Sequence, residues 1–119
     1  MEVMAGVTHD PAFGPLVAFG LGGVHVEILA DVCFRVAPLT DRDAAEMVRG
    51  IRGFPLLRGF RGGPAADLAA LEDVLLRVSR LAEEVPEVGE IDVNPIFALP
   101  EGRGCAIADA RVHVRPGGQ

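Results

Sequence analysis

The sequence contains no lysine, and all 11 of its basic residues are arginines. A chain without a lysine amine forms no Schiff base and has no Walker-type lysine to hold a nucleotide phosphate. Tryptophan and tyrosine are absent too, so six phenylalanines make up the whole aromatic content. So few aromatic rings leave little surface on which nucleic-acid bases could stack. These absences exclude lysine-based chemistry by this chain and argue against a nucleic-acid partner.

The sequence also has few positive charges, 11 basic against 17 acidic residues, and it has no long apolar run. The 119 residues have a net charge of −6, which disfavours binding to a phosphate backbone. No apolar run reaches the roughly 18 residues that a membrane span needs, and the first residues lack a basic segment followed by an apolar one. The two cysteines, Cys33 and Cys105, lie among apolar neighbours, which favours buried, reduced thiols. We therefore expect a cytoplasmic, single-domain protein that contacts neither nucleic acid nor a membrane.

Strand-like and helix-like segments follow one another in a simple order. Short apolar or alternating runs, typical of β-strands, fill the first third of the chain: Val3–Thr8, Leu16–Phe19, Val24–Leu29 and Val32–Ala37. Two helices are predicted next, over 41–52 and 67–84, and the second has apolar residues at 3–4–3 spacing. Gly53, Phe54 and Pro55 should end the first helix. The candidate caps are Thr40 or Asp41 for the first helix and Asp67 for the second.

The rest of the chain completes the predicted fold. Residues 57–64, rich in glycine and arginine, are expected to form a loop, and the last strands, 90–99 and 104–114, a β-hairpin. Strands at both ends with helices between them are typical of an α+β fold. We predict an antiparallel or mixed sheet with both helices packed on one face. The domain should span 1–115, followed by a disordered tail over 116–119.

The predicted hairpin brings polar residues together. If the loop 100–103 joins the two strands, the numbers of directly opposed residues sum to 203. Asn94 then lies opposite Asp109 and Asp92 opposite Arg111, with all four side chains on one face. A slip of one residue would separate Asn94 from Asp109, so this prediction depends on the register.

Two interpretations of this cluster remain open from spacing alone. Amide and carboxylate oxygens suit a hard cation such as Mg²⁺, which usually keeps waters and is completed by the phosphates of a nucleotide. In the simpler alternative, Asp92 and Arg111 form a solvated cross-strand ion pair, and Asn94-Pro95 begins a bulge.

A glycine-rich segment is the second candidate. Gly20, Gly22 and Gly23 could let backbone N–H groups converge on an anion, and Glu27 could reach a metal or a phosphate-linked group. The glycine spacing is not that of a dinucleotide-binding fingerprint. An ordinary hairpin turn followed by a solvated strand carboxylate is the alternative.

Other polar residues give weaker signals. Arg58 and Arg61 could grip a phosphate with two hydrogen bonds each, although a surface loop with incidental charge is the simpler interpretation. The histidines have no Cys or His partner at metal-binding spacing. We expect His9 in a turn and His25 and His113 on exposed strand faces.

Several motifs in a fixed order resemble the ATP-grasp domain of NDP-forming acyl-CoA synthetases. They cover nearly the whole chain, and together they are specific although each alone is weak: Gly6–Val17, Phe19–Glu27, Asp31 with Arg35–Leu39, Arg58–Gly62, Glu90–Ile96 and Ala108–Arg111. Enzymes of this family form acyl-CoA from a carboxylate and CoA while ATP is cleaved to ADP and phosphate, or run the reverse. Their ATP-grasp domain holds MgATP between two lobes and exchanges a phosphoryl group with a mobile histidine.

The resemblance implies roles for individual residues. By match to the family's Asp-x-Asn-Pro and Asp-Ala-Arg motifs, Asn94 and Asp109 are similar to Mg²⁺ ligands. Asp92 resembles a neighbouring carboxylate that contacts the metal or the phosphohistidine. The remaining candidates would lie near the nucleotide phosphates: Gly20, Gly22, Gly23 and Glu27.

The match also departs from the family. It resembles only the second lobe of the ATP-grasp fold and omits the first lobe, the CoA-binding domain and the phosphohistidine domain. None of His9, His25 and His113 matches the phosphohistidine. We therefore expect that this chain alone is not a complete enzyme. Two alternatives are a synthetase-like regulatory region of a bacterial protein lysine acetyltransferase and a non-catalytic α+β interaction module.

Overall fold

The computed structural model describes residues 1–22, 31–59 and 62–115. The predicted strand Val24–Leu29 and the predicted tail 116–119 lie outside these ranges. Among the described residues, none of the helices has the length and apolar character required to cross a membrane.

Six strands of the described part of the chain form one antiparallel sheet. In spatial order the sheet runs β3-β2-β1-β4-β5, and β6 also pairs with β4, beyond β5 along the chain. The strands are β1 Glu2–Asp10, β2 Gly14–Leu21, β3 Val32–Val36, β4 Val88–Ala98, β5 Cys105–Ile107 and β6 Ala110–Val114. The α+β prediction with an antiparallel sheet is confirmed. Gly20, which follows the predicted strand Leu16–Phe19, lies within β2, because its backbone continues the pairing with Met4.

In the described ranges, three helices connect the strands on one side of the sheet. They are α1 Asp41–Gly50, α2 Phe54–Leu57 and α3 Leu68–Glu84. Thr40 is the cap of α1: its hydroxyl accepts the Asp43 N–H at 3.1 Å, and its own N–H donates to the Asp43 carboxylate at 2.9 Å. The helix α2 was not predicted, since Phe54 and Pro55 were expected only to end the first helix. Proline is well tolerated in a first helical turn, which explains the extra turn.

The core lies between the helices and one face of the sheet. Helix α3 contacts β1, β2 and β4, while α1 contacts β2, β3 and α3. The largest fully buried side chains come from all these elements: Phe19, Met47, Leu57, Leu71, Leu75, Ile96, Val3, Val17 and Val48. We call the opposite surface of the sheet, which includes Thr8, Phe34, Asp92 and Arg111, the open face. No helix in the described ranges packs on it.

Asp67 ties the start of α3 to the terminal hairpin. Its Oδ1 accepts the Ala70 N–H at 3.2 Å and so caps the helix, as predicted. Its Oδ2 accepts the N–H groups of Gly102 at 3.1 Å and Gly104 at 2.8 Å, which belong to the loop between β4 and β5. Its own N–H donates to the Leu99 carbonyl at 2.8 Å. One carboxylate therefore serves a helix end and a hairpin loop 35 and 37 residues further along the chain.

Asp67→Ala should lower the free energy of unfolding by about 2–3 kcal/mol, because it removes a helix cap and leaves two loop N–H groups without their acceptor. Asp67→Asn should lower the free energy of unfolding by about half as much, since asparagine also caps helices. Urea unfolding measures both values. Asp73→Ala on the exposed side of α3 is the matched control and should change stability by about 0.5 kcal/mol or less. Equal losses for Asp67→Ala and Asp73→Ala would contradict the assignment.

Candidate functional site

The terminal hairpin has the predicted register. Asp92 is the Cα partner of Arg111, and the same register continues through β5 and β6. The N–H of Asn94 donates to the carbonyl of Asp109 at 3.1 Å, so these two residues also face each other. The prediction that opposed residue numbers sum to 203 is confirmed from Glu90 to Ala98 of β4. Beyond Glu90 an irregularity shifts the pairing by one residue, so that Val88 lies opposite Val114.

Alternation along β4 places the polar side chains on the open face. Ile91 and Val93 point into the core and are only 5% and 4% exposed, whereas Asp92 between them is exposed. Because paired residues share a face, Arg111 lies on the open face beside Asp92. Asn94 is half-buried and Asp109 is exposed. Asp92 and Arg111 are therefore accessible from the open face, on which none of the described helices packs.

A β-bulge lies at Asn94. The pairing between β1 and β4 shifts by one residue between Val3 and Ala5, so Asn94 and Pro95 both lie against the single residue Met4. The Asn94–Pro95 peptide bond is cis. The bulge that the simpler interpretation predicted is therefore present. Since bulges redirect side chains and often lie beside functional sites, it is compatible with a role of Asn94 in binding.

At Gly22 the glycine-rich segment lies beside Asn94 of the terminal hairpin. The N–H of Gly22 donates to the Glu2 carbonyl at 3.0 Å, which holds the segment against β1. A Cβ at this position would collide with the carbonyl of Val3 and would lie 3.0 Å from Oδ1 of Asn94. Only glycine fits without a shift of the backbone, and its backbone lies directly beside the Asn94 amide. The other two members of this candidate, Gly23 and Glu27, lie outside the described residues.

The charged groups of the site form one loose ion pair. Nε of Arg111 lies 3.7 Å from Oδ2 of Asp109, and the two side chains are 78% and 57% exposed. An ion pair this exposed contributes little to stability. The alternative interpretation assigned the partner of Arg111 to Asp92. The ion pair in the structure is instead with Asp109, two residues before Arg111 in the chain.

The donor set of the site fits a hard cation that is completed by other ligands. In the part of the chain that the structure describes, no group of three or more His, Cys, Asp and Glu side chains is arranged to hold a metal. The hairpin offers two carboxylates, Asp92 and Asp109, and the amide of Asn94, all of them oxygen donors. Mg²⁺ takes oxygen ligands and is usually held by one or two carboxylates with waters and phosphates, whereas structural zinc sites use four Cys or His ligands. These residues therefore suit Mg²⁺ accompanied by a phosphate ligand.

The remaining predicted polar residues do not join this cluster in the described ranges. The guanidinium of Arg58 lies over the ring of Phe54, 5.9 Å from its centre, and Arg61 lies outside the described residues. His9 was predicted in a turn but belongs to β1, where its Nδ1 lies 2.5 Å from the Gly89 carbonyl. The β1–β2 pairing, in which His9 lies opposite Pro15, extends the strand to this point. His113 is exposed on β6 as predicted, and His25 lies outside the described residues.

The two cysteines are free and half-buried rather than fully buried. The Sγ of Cys33 lies 3.4 Å from the Met47 carbonyl, and burial raises the pKa of the Cys33 thiol. Burial also raises the pKa of the Cys105 thiol. A raised pKa keeps both groups as thiols, so neither is an activated nucleophile.

One residue that supports the site was not recognised from the sequence. Asp31 is only 7% exposed, and its two carboxylate oxygens accept the N–H groups of Arg52 and Gly53, each at 2.7 Å. Its carbonyl accepts the N–H of Leu21 at 3.0 Å, next to Gly22. Asp31 therefore fixes the end of β2 against the segment between α1 and α2. An aspartate that interrupts an apolar run was the only sign of this role in the sequence.

Comparison with known proteins identifies the family to which this chain belongs. Residues 1–114 match the model of the ATP-grasp domain, and the chain belongs to that family. It is 54% identical over 112 residues to the beta subunit of the ADP-forming acetate–CoA ligase I of Pyrococcus furiosus, covering 93% of this chain and 47% of the relative. It is 49% identical over 111 residues to the ADP-forming acetate–CoA ligase I of Archaeoglobus fulgidus, covering 93% of this chain and 16% of that protein.

A solved structure shows the same fold. The dinucleotide-forming acetyl-coenzyme A synthetase 1 of Ca. Korarchaeum cryptofilum, solved with coenzyme A and Mg-AMPPCP, superposes with a TM-score of 0.91 at 46% identity. The match covers 96% of this chain and 53% of that one. The chain thus forms an α+β lobe of an ATP-grasp fold and spans about half the length of the Pyrococcus relative. The resemblance that the motifs indicated is confirmed.

Gly22→Ala should destabilise the fold by about 1–3 kcal/mol, because the new methyl group would have to displace the Val3 backbone or the Asn94 amide. Gly50→Ala is the matched control: Gly50 is the last residue of α1 and its Cβ would meet nothing within 4 Å. That change should stabilise the protein by about 0.5–1 kcal/mol, since alanine favours a helix. Thermal or urea unfolding compares the two variants. A neutral Gly22→Ala would show that the close approach to Asn94 does not exist.

Proposed function

We propose that this chain is the nucleotide- and Mg²⁺-binding lobe of an NDP-forming acyl-CoA synthetase. The complete enzyme would convert a carboxylate, CoA and ATP to acyl-CoA, ADP and phosphate through a phosphohistidine. The pairing of Asn94 with Asp109 supports this proposal most directly, because the two predicted Mg²⁺ ligands face each other across the hairpin. Similarity to ADP-forming acetate–CoA ligases supports the same function.

In this proposal the oxygens of Asn94 and Asp109 hold the cation, and Asp92 adds a carboxylate on the open face beside them. When bound, Mg²⁺ neutralises the charge of the transferring phosphates. By match to the family motifs, the phosphates would lie near Gly20, Gly22, Gly23 and Glu27. The absence of a side chain at Gly22 lets its backbone lie directly beside the Asn94 amide, while its N–H is used by the Glu2 carbonyl.

The lobe needs partners to complete the reaction. Stabilising a transferring phosphoryl group requires donors on both sides of it, and this chain has no lysine to supply. We therefore propose that it works with an N-terminal ATP-grasp lobe and with CoA-binding and phosphohistidine domains. ATP or ADP, CoA and a carboxylate would be the ligands of the complete protein. The free thiols of Cys33 and Cys105 agree with a cytoplasmic location.

Asp109→Asn in the complete protein should weaken Mg²⁺-dependent binding of ADP by about tenfold or more, because a carboxylate ligand loses its charge. The free energy of unfolding should change by about 0.5 kcal/mol or less, since Asp109 is exposed. Calorimetric titration with ADP, with and without Mg²⁺, measures the effect. Asp73→Asn on the exposed side of α3 changes the net charge equally and should leave binding unchanged. If both variants bind ADP and Mg²⁺ like the unaltered protein, the site is misassigned.

The 119-residue chain alone should form no acyl-CoA from ATP, a carboxylate and CoA. It supplies ligands on only one side of the phosphates, and no described histidine faces the Asn94–Asp109 pair. Thioester formation and ADP release, each followed with purified protein, test this expectation. Turnover by the purified chain that is lost in Asp109→Asn would show that one lobe suffices, contrary to this proposal.

A further inference from the structure

Arg111 has two carboxylate residues of the hairpin, Asp109 and Asp92, as neighbours. Asp109 is two residues before it on the same chain segment, and Asp92 is its Cα partner across the ladder. Arg111 therefore has one negatively charged neighbour in its own chain segment, Asp109, and another on the paired strand, Asp92. A cation bound by these carboxylates would displace or repel the guanidinium, because both are positive and occupy the same surface.

The guanidinium is held only loosely. Its Nε is 3.7 Å from Oδ2 of Asp109, too far for a hydrogen bond, and the side chain is 78% exposed. By contrast, Arg77 donates to Asp73 at 2.8 Å and Arg49 donates to Glu72 at 3.0 Å. Arg111 can therefore leave Asp109 without losing a hydrogen bond to it.

We propose that Arg111 is a phosphate-binding residue that neutralises Asp109 until the cation takes its place. With the metal on the carboxylates, the guanidinium is released to bind phosphate oxygens of the nucleotide with its planar fork of N–H donors. The chain has no lysine that could do this instead. This inference rests on the proposed function and adds a specific residue to it.

The proposal predicts that cation and nucleotide bind cooperatively. Arg111 competes with the cation when no nucleotide is present and attracts the nucleotide once the cation is bound. Each ligand should therefore raise the affinity of the complete protein for the other by the same factor. Removing the guanidinium should reduce that factor while leaving the carboxylate ligands in place.

The experiment measures Mn²⁺ binding by electron paramagnetic resonance, and ADP binding at saturating Mg²⁺ by calorimetry, in the complete protein. Arg111→Gln should bind Mn²⁺ alone about three- to tenfold more tightly, since a nearby positive charge is gone. It should bind ADP with Mg²⁺ about tenfold more weakly, since a charge-assisted bidentate contact is lost. Arg111→Lys should restore the unaltered affinity for Mn²⁺ alone but only part of the affinity for ADP. Unfolding in urea checks that both variants are folded.

Arg103→Gln is the matched control. Arg103 is exposed in the loop between β4 and β5, so its removal changes net charge equally and should alter neither affinity. Both changes in Arg111→Gln are required: if either is missing or matches Arg103→Gln, the role of Arg111 is wrong. Failure of the proposed function has a different signature, in which the unaltered protein binds no ADP with Mg²⁺ or Asp109→Asn binds it normally.

Discussion

The pairing of β4 with the two last strands is the constraint on which the candidate site depends. Asn94 and Asp109 are 15 positions apart in the sequence, and only the hairpin register places them opposite each other. Burial of Ile91 and Val93 fixes which face of β4 points outward, because a shift of β4 by one residue would expose them and move the Asp92 carboxylate into the core. All five residues of β6 are exposed, so burial does not set its position along β4. The short loop between β4 and β5, closed by the hydrogen bond from the Leu99 N–H to the Gly104 carbonyl, sets which residues are opposed.

Two buried or half-buried aspartates extend this constraint to the rest of the lobe. Asp67 holds the hairpin loop against the start of α3, and Asp31 holds the end of β2 against the segment after α1. In both cases one carboxylate accepts several backbone N–H groups that have no partner in a helix or sheet. These contacts locate the glycine-rich segment and the hairpin relative to the same core. The approach of Gly22 to Asn94 depends on two fixed positions: the end of β2, held by Asp31, and the hairpin, held by Asp67.

Local features of the sequence were enough to predict the register and the helix caps. A four-residue loop with glycine fixes which hairpin residues are opposed, and Thr40 and Asp67 mark helix starts by hydrogen bonds that span only three residues. The bulge at Asn94 could be suspected from the proline that follows it. The contact between Gly22 and Asn94 could not be predicted, because it joins segments about 70 residues apart through a close backbone approach. The second acceptor role of Asp67 was missed for the same reason, since it reaches a loop distant in sequence.

The side chains of β4 alternate between two faces, so the residues that pack in the core differ from the residues that are available for binding. The inward side chains of β4 make the core with α3, whereas Asp92 on its outward side is exposed. The exposed pair of Asp109 and Arg111 adds little to stability, so its charges are free to respond to a ligand. A cation and a phosphate could then replace this pair without disturbing the packed face. This arrangement suits one lobe of a binding cleft, where ligands must enter and leave a surface that remains folded throughout.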